Sequence, residues 1–147
     1  MNIKNYTSTV DAHISINKIE KCLVEIGASN INKEYENKIC LGITYLLFDD
    51  NTKQTLCFNI KAKVQECFKI LWAEVSKPQS GTKERILLQA DRTAWKILSD
   101  WIEIQCTMVL LGQASPLQMF LPFAYNPQTK ESLFDRIVSG KAQLLLN

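Results

Sequence analysis

Histidine is almost missing from this chain of 147 residues, where His13 is the single example. A serine or cysteine nucleophile that relies on an imidazole base has only that residue to call on. It sits in a polar leader with no acid or nucleophile at a recognisable spacing, so an enzyme is the least expected class. Cysteine is present but unorganised. Cys22, Cys40, Cys57, Cys67 and Cys106 are odd in number and widely spaced, and none forms a C-x-x-C pair. Neither a disulfide framework nor a zinc cluster is indicated, and each thiol reads as a small core residue. Neither charge sign dominates: 17 basic and 15 acidic residues leave a formal charge of +2, too little for bulk polyanion binding. Asp49 and Asp50 offer oxygen donors but no EF-hand spacing, and they read as a charged hairpin tip. No apolar run reaches the roughly 18 residues a membrane span needs; the richest, 39–48 and 108–111, are far too short. Residues 1–10 also lack the apolar stretch of a secretory signal. The expectation is a cytoplasmic chain without membrane, metal or cofactor.

What is present is ordinary for a globular fold. Apolar residues make up 46% and charged residues 22% of the chain, enough for one α+β domain with a core of its own. Residues 1–14 form a leader without periodicity. A helix–sheet–helix half follows over 15–76, then a linker over 77–82 and a long-helix half over 83–147. In the first half Ser15 is the predicted cap of a helix whose stripe is Ile16, Ile19, Leu23 and Ile26, with Gly27 as its stop. The period then switches to two. Ile31, Lys33 and Tyr35 mark a short strand, and 39–48 alternates with apolar residues on both faces, as a central strand does. Leu56, Phe58 and Ile60 point inward from a third strand. Tight loops between them predict a three-stranded antiparallel meander. An amphipathic helix follows through Val64, Phe68, Leu71, Trp72 and Val75.

The long helix predicted over 83–111, with Thr82 as its cap, is the most informative stretch. Ala90, Ala94, Ile97, Trp101, Ile104, Met108 and Leu111 repeat at four and three, and Trp95, Leu98, Ile102, Cys106 and Val109 run beside them. Two apolar stripes need two covers. A polar strip remains, holding Arg92, Lys96, Ser99, Glu103 and Thr107. Gly112 ends the helix, and the prolines at 116, 122 and 127 predict an extended apolar segment over 115–127. Thr129 is the predicted cap of a short last helix.

Candidate sites follow from these faces. Arg92, Lys96 and Asp100 share one helix face, where two cations can hold an anion while the carboxylate orients them; Trp95 and Trp101 flank them as stacking surfaces. The same residues equally make a solvated, ion-paired strip. Lys61, Lys63, Lys77, Lys83 and Arg85 form a modest basic group suited to phosphates. Ile97, Ile104, Met108, Phe120 and Phe123 are candidate interface residues for a partner or a second copy.

Residues 92–105 fit the pattern R-x-A-W-[RK]-x-[IL]-x-D-W-[VI]-x-x-Q, and Phe120-Leu121-Pro122-Phe123 fits the F-L-P-[YF] segment that follows it. With the Gly27-Ala28 turn before the strands, the chain resembles, over about 15–137, a family of small uncharacterised proteins of bacteriophages, prophages and mobile elements. The resemblance implies a genomic setting and brings no activity with it. The expectation is a non-enzymatic accessory protein in the host cytoplasm, self-associating, that engages or inhibits a host complex, such as a defence complex, through protein contacts. The alternative is a nucleic-acid or nucleotide binder using the basic and tryptophan residues of the long helix.

Overall fold

The computed structural model describes residues 2–142, so Met1 and 143–147 of the outer sequence segments lie outside the described residues. The fold is α+β, in the order predicted: α1 (Ala12–Glu25), β1 (Ser29–Glu36), β2 (Ile39–Asp49), β3 (Gln54–Lys61), α2 (Val64–Ala73) and α3 (Thr82–Leu110). After these come α4 (Pro116–Phe120), a 3-10 turn (Leu121–Phe123), β4 (Tyr125–Asn126), β5 (Glu131–Ser132) and α5 (Leu133–Val138).

The helical spacing of Ile16, Ile19 and Leu23 buries all three, as predicted for α1. Its start is earlier than predicted. Asp11 occupies the cap position and spends its carboxylate on Arg92 of α3, while Ser15 is buried inside the helix. A tertiary ion pair, not a local cap, sets this boundary. His13 therefore lies in the first turn of α1 with its side chain exposed.

β2 is central, paired antiparallel to β1 and β3. The partners Ile43–Ile60, Tyr45–Phe58 and Leu47–Leu56 lie on the face that meets the core. The opposite face carries Thr44–Asn59, joined by a 2.9 Å hydrogen bond from Asn59 Nδ2 to Thr44 Oγ1. Gly42 lets β3 come close, since a Cβ there would stand 2.8 Å from the Ile60 carbonyl oxygen. β1 is a polar outer strand whose register slips twice, between Ser29 and Asn32 and between Glu34 and Tyr35. Beyond β3, Ala124 bridges to Phe58.

α3 packs against α1 and α2 and reaches the aromatic centre of the core. Tyr45 stacks on Phe58 at 5.6 Å, Phe120 meets both edge-on, and Trp101 meets Phe120 at 6.0 Å. The buried residues of α3 are Ala90, Thr93, Ala94, Trp95, Ser99, Ile102 and Cys106. This corrects the predicted faces. The heptad stripe from Ala90 to Leu111 is not one buried face: Ile104 is 59% and Leu111 69% exposed. A straight helix drifts by about 20° per heptad, so a strict seven-residue repeat turns out of the core within three repeats. Ser99, placed in the polar strip, is buried.

The helix ends also differ in detail. Gly81, not Thr82, caps α3, and Thr82 Oγ1 instead accepts the Gln79 N–H at 3.0 Å. At the other end Gly112 takes φ +73°, which brings its N–H to Val109 O and that of Gln113 to Met108 O. The segment 115–127 is largely helical and not extended. Ser115 and Gln118 cap one another across the first turn of α4, and Pro116 suits its first position. Ser132, not Thr129, caps α5, with Asp135 returning the bond. The β4–β5 hairpin between them was not predicted.

Candidate functional site

The polar strip of α3 is where the chain's own N-terminal segment docks. Arg92 donates from Nε to Asp11 Oδ1 at 3.0 Å, and its Nη2 lies 2.8 Å from the same oxygen in an ion pair. Lys96 Nζ is 2.6 Å from Asp100 Oδ1, and Asn5 Nδ2 donates to Asp100 Oδ2 at 2.9 Å. Thr93 Oγ1 donates to the Asn5 carbonyl, and Gln89 Nε2 bridges the carbonyls of Tyr6 and Ser8, each bond 3.0 Å long. Partial burial pushes the Asp100 carboxyl up, but the bonds from Lys96 and Asn5 outweigh it, and its pKa falls below the usual carboxylate range. Arg92, Lys96 and Asp100 are brought together as predicted, with partners already in place.

The tryptophans do not flank an open strip. Trp95 is fully buried, with Nε1 donating to the Cys40 carbonyl at 3.1 Å, so it offers no stacking face to a ligand. Trp101 is partly buried against Phe120 and Phe123. Among the interface candidates Phe120 is fully buried in the core, Phe123 packs on Trp101 at 5.6 Å, and Ile97 and Met108 are partly covered. Ile104 alone of the five is exposed.

The basic residues separate. Arg85 lines a cavity with Tyr6, Ile70 and Glu74, Lys77 lies in the α2–α3 connection, and Lys83 is in the first turn of α3. Lys61 and Lys63 stay together, at the end of β3 and just before α2. They line a cavity of about 450 Å³ whose other walls come from Asn59 of β3, the 3-10 turn, the C-terminal hairpin and α5. Tyr125, Lys130 and Phe134 complete that cavity and were not singled out from sequence. Only the unpredicted hairpin brings them beside β3.

The remaining chemistry is quiet. Asp49 is buried at the β2–β3 turn, and hydrogen bonds from Thr52 and Asn51 hold its carboxyl below the usual range; the Thr52 N–H lies at 2.8 Å. All five thiols are free, and burial pushes them up, Cys106 to about 12. Asp91, on α3, is half-buried with one carboxylate oxygen unpartnered among the described residues, and desolvation raises its carboxyl. Among the described residues no cluster of ligands suits a metal ion, and no helix is long and apolar enough to cross a membrane. No family model, curated protein or solved structure matches the chain.

Proposed function

We propose that this chain is a non-enzymatic accessory binding protein of the bacteriophage or mobile-element kind, acting in the host cytoplasm, and that it engages a host protein complex. The observation that carries the reading is an outward face shared by two neighbouring helices. Ile14 and Val24 of α1, Ile104 of α3 and Leu111 at the C-terminal cap of α3 are all more than half exposed. An ion pair from Lys18 to Glu103, 2.8 Å long, links the two helices between them. Large apolar side chains left in water are unfavourable unless a partner covers them. The charges around these side chains, Lys18 and Lys21 against Glu20, Glu25 and Glu103, leave one excess acid, which suits a protein surface better than a polyanion. The resemblance of residues 92–105 and 120–123 to phage proteins supports the setting.

Affinity capture from the natural host, with wild type beside an Ile104→Asp, Leu111→Asp variant, tests this reading. One host protein retained at high salt by the wild type, and weakened on the order of 100-fold by the variant, is the expected result. Equal capture by both rules the face out. Sedimentation of both proteins tests the competing occupant: a homodimer that the same substitutions dissolve assigns the face to a second copy. The nucleotide-binding alternative retains one specific observation, the cavity at Lys61 and Lys63.

A further inference from the structure

We propose that the cavity between the end of β3 and the β4–β5 hairpin binds a phosphate carrying an unpaired aromatic base, either a free nucleotide or the end of a single strand. Three lysines from two parts of the chain line it: Lys61 at the end of β3 with Lys63 just before α2, and Lys130 in the hairpin turn. Among the described residues none of the three is ion-paired. The one acid in the lining, Asp135, already accepts the Ser132 N–H at 2.9 Å. That bond comes first in holding the Asp135 carboxyl low, and the fields of Lys61 and Lys63 add to it. Three lysines against one carboxylate leave an excess of two positive charges, a match for a phosphate.

The aromatic walls point to the second half of the ligand. Phe134 is 60% exposed on a helix of six residues, and Tyr125 stands beside it in the same lining. Phe123 is already engaged with Trp101, so these two rings are the ones left for stacking. Asn59 is buried at the cavity wall, with its amide held by the bond to Thr44. Its Oδ1 accepts no hydrogen bond from the described residues, which leaves an acceptor for a base N–H such as the imide of thymine. The volume of about 450 Å³ falls within the range of small-ligand sites. An acidic or phosphorylated peptide would use the lysines but leave the rings idle, so the base is favoured. This site is independent of the α1–α3 face.

Fluorescence anisotropy with a 3′-labelled thymidine octanucleotide at about 50 mM salt tests the proposal. Binding is expected, weakened roughly 30-fold by Lys61→Ala with Lys63→Ala and roughly 10-fold by Phe134→Ala. The double lysine variant is expected to lower the slope of affinity against salt by about 0.7, one phosphate contact's worth. Lys83→Ala with Arg85→Ala changes affinity less than about twofold, since those residues lie elsewhere. Lys61→Arg with Lys63→Arg retains binding, and unchanged thermal melts show that all variants fold. Competition by thymidine 5′-monophosphate assigns the site to a free nucleotide; octanucleotide binding without that competition assigns it to a strand end. Three outcomes overturn the proposal: no binding of either probe up to about 1 mM, equal binding by the double lysine variant, or tighter binding of a phosphoserine octapeptide.

Discussion

Trp95 shows how one atom can anchor a helix. Its indole is buried against the sheet, and its N–H meets a carbonyl 55 residues away in the chain. Trp95→Phe removes the donor, leaves the Cys40 carbonyl without its partner, and opens space where the larger ring stood. An unsatisfied buried group alone costs about 1–3 kcal/mol, so urea denaturation is expected to show a loss of at least about that size. Sequence spacing placed Trp95 on an apolar stripe, which is right. The identity of its partner was not legible, because no local pattern encodes a bond between α3 and the start of β2. The same holds for Arg92, whose residue type marks a site for an anion. That anion is the carboxylate of Asp11, from a leader with no periodicity to read.

At the scale of the element, α3 was legible in length and only partly in orientation. Both ends fall within a residue of the predicted 83–111. The heptad reading, however, put Ile104 in a covering stripe and ranked Ile102 beside it as secondary. Burial reverses that order, with Ile102 fully buried and Ile104 exposed. Ile102→Ala is therefore expected to cost about 2–5 kcal/mol, and Ile104→Ala less than about 0.5 kcal/mol, by chemical denaturation. Equal losses would restore the heptad face. The C-terminal elements were misread for another reason. Prolines suggested extended chain, yet Pro116 stands directly after Ser115, where a proline helps a helix begin. The serine-to-glutamine and serine-to-aspartate spacings of the two caps were the available signals, and the prolines overshadowed them.

For the whole molecule, the N-terminal segment joins parts of the chain that are far apart in sequence, and acid is expected to loosen that joint. Asp100 has a depressed carboxyl pKa in the fold, so its stabilisation is present above the usual carboxylate range and is lost as pH falls through the lower folded value. Asp91 has a raised one, so its ionised form is penalised at neutral pH and relieved on acidification. Asp100→Asn is thus expected to lower the melting temperature at pH 7, by no more than about 1 kcal/mol of stability. Asp91→Asn is expected to raise it. Melts taken from pH 7 down to about pH 3 should bring both variants toward the parent protein, because each difference depends on a charge that acid removes. The polar, slipped strand β1 has a consequence of a different kind. An open sheet edge is a template on which further copies can add strands without limit. Here the β1 side offers charged and amide side chains on a backbone whose pairing is interrupted twice, and at the opposite margin Ala124 bridges to Phe58. Lateral stacking into fibrils is therefore disfavoured at both margins, and the sheet keeps its three strands.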